Sequence, residues 1–254
     1  MPLVEREHRL GVCERTAFDG SVMTPLNRGS LAKALTTLAR AGVDAVAVCY
    51  LHAYRNATHE VLTGRAVRAR LPKAYLSLSS EVLPQIKEYE RVWTTVVNAY
   101  VGPALARYLG SLAVKLKARG YRGEILIMQS HGGVAPIRES ARLAAGAVLS
   151  GPAGGVAAGK HAARRLGEGD LITFDMGGTS TDIALLQAGE PTLTGEKTVG
   201  TAKVALPSLD IHTLGAGGVR SRGWTGAGSS ASAPRAPAPT RAPRATAGAA
   251  RVRL

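Results

Sequence analysis

The chain has 254 residues, 45% of them hydrophobic and 4% aromatic, and a formal net charge of +14; this is enough for one large or two small globular domains. No run reaches the ~20 apolar residues of a membrane span, and the opening MPLVEREHRLGV lacks the apolar core of a signal peptide. Nor is the charge that of a nucleic-acid binder: seven arginines and no acidic residue follow Gly218, leaving 25 basic and 18 acidic groups before it, a net +7, intermixed and without interleaved aromatics.

Residues 1–27 read as irregular or short extended pieces, with turn signals at Asp19-Gly20 and Pro25. Ser30–Ala41 has Leu31, Leu35 and Leu38 on one helical face, and Gly42 ends it. Val43–Leu51 is a buried strand; helix Thr58–Leu71 and strand Ala74–Ser79 continue a β/α alternation. Cys13 and Cys49 belong to no metal or disulfide pattern, so a reducing cytoplasm is the simplest setting. Lys87–Arg119 is helical, and Gly102-Pro103 is expected to kink or split it. Within it Arg91, Thr94 or Thr95, and Asn98 share a face, either as a functional row or as a solvated stripe. Glu124–Gln129 reads as another buried strand, Gly151–Leu166 as a helix rich in small residues, and Leu171–Leu186 as a hairpin followed by shorter strands including Leu209–Leu214. The alternation implies an α/β sheet covered by helices. After Gly218 the Pro/Ala/Arg-rich chain has no apolar periodicity and is expected to be disordered.

The chemistry concentrates in ITFDMGGTSTDIALL (172–186). An apolar strand delivers Asp175 to its end; Gly177 and Gly178 permit a positive φ and let backbone N–H groups approach an anion, and Thr179, Ser180 and Thr181 add hydroxyls. Asp182 opens the return strand, and a carboxylate beside a phosphate cradle suits Mg²⁺ binding or orientation of a water. Gly154–Lys160 fits the start of a Walker loop, but His161 stands where Ser or Thr is required and the segment lies inside a helix, so close helix packing is the better reading. His131, in the turn after Gln129, is open to acid/base, phosphate-contact, metal-ligand or plain structural roles. Asp210 and His212 point the same way by strand periodicity, as half of a metal site or as a satisfied polar pair. Gly215, Gly217 and Gly218 form a possible second nucleotide-contacting loop.

With these residues in hand, the chain resembles the hydantoinase A/5-oxoprolinase family, which includes N-methylhydantoinase, 5-oxoprolinase and acetone and acetophenone carboxylase subunits. The resemblance rests on VAVCYLHAYRNATHE (46–60), SSEVLPQIKEYERVWTTVVNAYVGPAL (79–105), MQSHGGV (128–134), LSGPAGGVAAG (149–159), FDMGGTSTDIAL (174–185) and LDIHTLGAGG (209–218). The family has Thr-Ser where this chain has Val92-Trp93, and Pro at the position of Thr58. The resemblance implies an α/β, actin-like ATPase (ribonuclease H-like) fold that uses ATP and Mg²⁺ to activate a carbonyl oxygen. Either a cyclic amide is opened by water or a ketone is prepared for carboxylation. It implies a hydantoinase B-type partner in a hetero-oligomer, and no nucleic-acid or membrane partner. On this reading Asp175 and His131 are catalytic; Asp175, Gly177, Gly178, Thr179, Ser180, Thr181, Asp182, Gly215, Gly217 and Gly218 hold the nucleotide; and Asp175, Asp210 and His212 hold metal. Residues 1–78 are then the later part of an N-terminal domain and 79–218 the first part of the hydantoinase A domain, with the family's earlier DxGGT hairpin unmatched. A non-catalytic remnant or subunit-interaction piece is the competing expectation. Because VRSRGWT (219–225) can be encoded by DNA that in another frame gives Ser-Ile-Ala-Trp-Val-Asp, the family's continuation, 219–254 is expected to be a frameshifted tail.

Overall fold

The computed structural model describes residues 3–199 and 202–215, together with the backbone of Val252–Arg253. Near the start, β1 (Arg15–Thr16) and β2 (Val22–Thr24) form a small hairpin whose turn is closed by Gly20 at φ +92°. Helix α1 (Arg28–Arg40) is capped by Asn27, whose side chain accepts from the Ser30 amide at 2.8 Å. Strand β3 (Ala45–Val48), helix α2 (Thr58–Arg70) and strand β4 (Tyr75–Leu78) complete a parallel β–α–β unit. Thr58 opens α2, the first helical position that also suits the family's proline. A short α3 (Ser79–Val82) leads into α4 (Glu88–Ala118).

Strand β3 is buried on both faces, and its alternation shows why. Val46 and Val48 pack with Leu31, Leu35 and Leu38 of α1 and Val67 of α2, while Ala45 and Ala47 meet Val96 and Ala99 of α4. The small alanines let α4 come close, so the sheet lies between two helical layers.

Helix α4 runs through Pro103 as one 31-residue element, against the expected interruption. The clash that drives the residue before a proline out of helix involves that residue's Cβ, and here it is Gly102. A Cβ at Gly102 would also lie 2.3 Å from the Tyr75 ring, so packing requires the glycine as well.

The second half begins with β5 (Leu126–Met128) and β6 (Val134–Pro136), an antiparallel hairpin. The expected buried strand here is thus a two-stranded ribbon with Leu126 exposed, because an apolar run alone does not reveal how many neighbours a strand has. Helix α5 (Ile137–Arg142) and a 3-10 turn precede α6 (Ser150–Leu166). Strands β7 (Leu171–Met176) and β8 (Thr181–Gln187) pair antiparallel, followed by β9 (Glu190–Pro191), β10 (Leu193–Thr194), β11 (Lys197–Val199), β12 (Ala202–Val204), β13 (Ser208–Leu209) and β14 (His212–Leu214). The anticipated strand Leu209–Leu214 is therefore two, β13 pairing with β10 and β14 with β8. Val204 and Ala202 of β12 pack on Val97 of α4, which joins the halves.

A last strand, β15 (Val252–Arg253), pairs in parallel with Ala45 and Val46 on the edge of β3. Gly217, Gly218 and the rest of the expected tail, 219–251 and 254, lie outside the described residues. Among the described residues no helix is long and apolar enough to cross a membrane.

Candidate functional site

The hairpin β7–β8 and helix α6 enclose a cleft of about 300 Å³ lined by Pro152, Gly155, Val156, Gly159, Thr173 and the paired Asp175 and Asp182. Its floor follows from strand alternation. Leu171, Thr173 and Asp175 face α6, and opposite them on β8 stand Leu186, Ala184 and Asp182. Ala184 and Leu186 pack on Ala153 and Val156 of α6. The helix sits this low because two of its turns lack side chains. A Cβ at Gly159 would lie 2.3 Å from Thr173 Cγ2, and one at Gly155 would lie 3.1 Å from Asp175 Oδ2. The Walker-like run is thus helical, as its sequence suggested, and Lys160 forms a salt bridge with Glu190.

Asp175 lies within β7, one residue short of its end, and directly opposite Asp182. Like charges in such a cross-strand pair repel, so the arrangement favours a cation between or beside them. Thr213 Oγ1 donates to Asp182 Oδ1 at 2.6 Å, which adds an oxygen-rich neighbour from β14. Lys197 is drawn toward its charged form by Asp182 and Asp210, while the larger effect, burial, pushes its pKa down.

The loop 177–180 closes with the Gly177 N–H donating to Ser180 O at 2.8 Å. Neither Gly177 nor Gly178 uses the positive φ that glycine permits. A Cβ on Gly178 would meet nothing within 4 Å, and Gly177, Gly178 and Thr179 are exposed. Nothing within the described chain demands glycine there, and the backbone of the loop is open to solvent. Leu214 pairs with Thr181, so Gly215 follows at the same rim.

Other anticipated residues part company. By the pleat, Thr181 points to the face away from Asp175 and Asp182 and is buried, so it does not extend the hydroxyl row on the cleft side. His212 pairs with Ile183, which also puts it on the far face; Asp210 lies 3.9 Å from it. Asp175 and His212 are therefore on opposite faces of the sheet, and with Asp210 they do not assemble as a three-residue metal cluster among the described residues. Asp210 and His212 do lie near each other, but across the break between β13 and β14 and not along one strand as period two supposed, and the register that puts His212 on the face away from Asp175 is a tertiary property. His131 is exposed in the β5–β6 turn, its Nδ1 accepting from the Gly133 amide at 3.2 Å, and it does not line the cleft. That turn closes a hairpin and is not the carboxyl end of a parallel strand, which removes one ground for a catalytic role.

The row Arg91, Thr94, Thr95, Asn98 is fully buried, so the solvated-stripe reading fails. Arg91 donates to Tyr50 O at 2.8 Å and stacks 5.4 Å from the Tyr54 ring centre. Glu60 beneath it accepts from the Tyr50 amide, Ser79 Oγ and the Ser80 amide at 2.9, 2.6 and 2.8 Å. These groups tie together the carboxyl ends of β3 and β4. Thr213, Lys197 and the cleft role of Gly155 were missed, because only the sheet register and the seating of α6 bring them to Asp182 and Asp175.

A model of the hydantoinase/oxoprolinase family matches residues 91–246, and one of the hydantoinase/oxoprolinase N-terminal region matches residues 1–71. The chain is 36% identical over 216 residues to caprolactamase subunit alpha of Pseudomonas jessenii, covering 85% of this chain and 31% of that one. It is 30% identical over 220 residues to the acetone carboxylase beta subunit of Xanthobacter autotrophicus, covering 85% and 30%. The crystal structure of ATP-dependent caprolactamase from Pseudomonas jessenii superposes with a TM-score of 0.74 at 35% identity, over 81% of this chain and 30% of that one. The chain thus spans about a third of the length of these relatives, within the actin-like ATPase fold expected from its sequence. It belongs to the hydantoinase/oxoprolinase family.

Proposed function

We propose that this chain is a segment of an ATP-dependent subunit that activates the carbonyl of a cyclic amide for hydrolysis of its C–N bond, and that the β7–β8 hairpin is its nucleotide-phosphate and Mg²⁺ site. The observation that carries the reading is the facing pair Asp175 and Asp182 at the mouth of a cleft, beside a loop whose glycine backbone is left open. Two carboxylates and a threonine hydroxyl are hard oxygen donors of the kind Mg²⁺ takes, so the residues present fit the ion. With the Gly177 N–H used to close the loop on Ser180 O, the exposed backbone at Gly178 and Thr179, together with Gly215 at the same rim, would donate to phosphate oxygens. Bound MgATP would supply the phosphoryl group that makes a carbonyl carbon electrophilic. Asp182, oriented by Thr213, and Asp175 would hold the cation and orient its water.

The N-terminal region up to Leu78 and the part from Ser79 onward serve as two units of a larger subunit. A hydantoinase B-type partner completes the enzyme in the cytoplasm as a hetero-oligomer. The relatives are themselves named as alpha and beta subunits, which supports partnership. A ketone-carboxylase ATPase is the second reading, because the acetone carboxylase subunit also matches 85% of the chain.

Calorimetric titration with MgATP tests the site. Binding should be lost with EDTA and weakened at least about tenfold by Asp175→Asn or Asp182→Asn, the scale of one lost charged contact. Unchanged binding in both variants refutes the assignment. Turnover of caprolactam, oxoproline or acetone with bicarbonate, assayed with a B-type subunit present, separates the two readings.

A further inference from the structure

Among the described residues four buried side-chain atoms lack a hydrogen-bond partner: His52 Nδ1, Ser80 Oγ, Arg91 Nε and Ser208 Oγ. Buried polar atoms are almost always paired, and three of these four gather at the carboxyl ends of β3 and β4. That is where open α/β sheets take their ligands. The three are linked through Tyr50 and Glu60. Arg91 donates to Tyr50 O, His52 is two residues beyond Tyr50, and the Ser80 amide donates to the Glu60 carboxylate, which also accepts from the Tyr50 amide. Arg91 is 1% exposed, and its guanidinium holds two backbone oxygens, of Tyr50 and Gln85, and the Tyr54 ring, not a carboxylate. Burial pushes the Cys49 thiol up, and on it Glu60 and Arg91 act in opposite senses; the two buried charges thus share one neighbourhood and balance. An ionic ligand would upset that balance, so the groups left over suit a neutral one. They are one obligate donor, the Arg91 Nε–H, and a hydroxyl and an imidazole nitrogen that can accept.

The turn 51–56 covers this place. His52 stands at φ +57° with its ring edge-on to Tyr54 at 6.0 Å, and the Tyr54 ring lies over Arg91. Lys87, just before α4, is at φ +82°. Strain of this kind in residues other than glycine collects at ligand clamps. The orphaned atoms are sealed within the fold and not left open at its surface, so chain from elsewhere in a longer polypeptide does not meet them while the turn is down. We infer that the carboxyl ends of β3 and β4 form a binding site for a neutral cyclic amide, an inference that rests on the function proposed above. The Arg91 Nε–H donates to the carbonyl oxygen, Ser80 Oγ and His52 Nδ1 take the amide N–H, and the turn 51–56 lifts to admit the ring and closes on it.

Titration of the full chain with caprolactam to about 50 mM, followed by saturation-transfer NMR, should show saturable binding with a Kd of about 1 mM, the scale of a small ring with two hydrogen bonds. N-methylcaprolactam, which lacks the N–H, should bind at least about fivefold more weakly, and so should caprolactam to Ser80→Ala and to Arg91→Lys. Ser80→Ala removes a hydroxyl that bonds to nothing, so its Tm should equal or exceed that of the wild type, which separates lost binding from lost folding. An apolar cavity of about 330 Å³, lined by Leu31, Leu35, Val48 and Tyr50, lies nearby; partition into it would favour the N-methyl compound. The proposal is overturned by an absence of saturable binding with and without MgATP, by an N-methyl compound bound as tightly as its parent, or by both variants binding like the wild type. MgATP titrated against the same chain keeps the two assignments apart. Caprolactam bound without MgATP binding sinks the hairpin assignment and upholds this site; MgATP bound without caprolactam sinks this site alone.

Discussion

Gly159→Ala sets two opposing effects against each other at the wall of the cleft. In a helix interior alanine is favoured over glycine by about 0.5–1 kcal/mol, so intrinsic propensity predicts a more stable protein. The structure predicts the reverse. The new methyl would lie 2.3 Å from Thr173 Cγ2, with Leu171 Cδ2 at 3.5 Å and Thr173 Cβ at 3.6 Å. Threonine cannot swing clear cheaply, because it is β-branched and its Oγ1 donates to Ala184 O at 3.2 Å. Either α6 lifts off the hairpin, loosening Ala153 and Val156 from Ala184 and Leu186, or Thr173 leaves its rotamer. Overpacking of this kind costs about 1–3 kcal/mol, so the net expectation is a loss of about 1–2 kcal/mol. In a chain of this size that lowers Tm by about 3–6 °C. Thermal and urea unfolding of the wild type, Gly159→Ala, Thr173→Ser and the double variant form a cycle. Serine removes the clashing methyl and keeps the hydroxyl, so the double variant should recover most of the loss. A Gly159→Ala protein as stable as the wild type, or a cycle with no coupling, would refute the seating of α6 on β7.

Glu60→Gln should destabilise by about 2–4 kcal/mol, because a carboxylate that accepts three hydrogen bonds is replaced by an amide with a donor facing other donors; denaturant titration measures it. Of the two cysteines, exposed Cys13 should react with a thiol reagent at pH 8. Cys49, half-buried and with its thiol pushed up to about 12 by desolvation, should react far more slowly until the chain unfolds, as mass spectrometry would show. The same shift sets a pH dependence. Burial holds Cys49 and Tyr50 near 12, above ordinary values of 9.0 and 10.0, so the unfolded chain loses protons first. Stability should be full below pH 9 and fall as the pH rises toward 12, and Cys49→Ala should delay the onset to about pH 10.

The residues that local pattern governs were legible in the chain. Leu31, Leu35 and Leu38 at helical spacing gave α1, the apolar run around Ala45–Val48 gave a buried strand, and strand–DMGGTSTD–strand gave the hairpin with Asp175 and Asp182 on it. His161 in place of serine was enough to reject the Walker reading that α6 then contradicted in structure. In each case the determinant is the covalent neighbour or the residue one turn away.

What the sequence left open was every choice that depends on which distant surface arrives. An apolar run cannot state whether a strand has one neighbour or two, so β5 was expected buried and is a ribbon with Leu126 exposed. Pro103 forbids a helix in isolation, yet Gly102 and the Tyr75 ring against it keep α4 whole. The polar row from Arg91 to Asn98 reads equally as surface or core until β3 and β4 close over it. Alternation assumed one strand through Asp210 and His212, whereas the chain breaks between them, and only the pairing of His212 with Ile183 and Thr213 with Asp182 decided which of these side chains faces the carboxylates. A shift of one residue would have put His212 beside the carboxylates and Thr213 outside. Register is fixed by long-range burial, here of Ala184 and Leu186 against α6, and that is where the sequence alone ceased to determine the site.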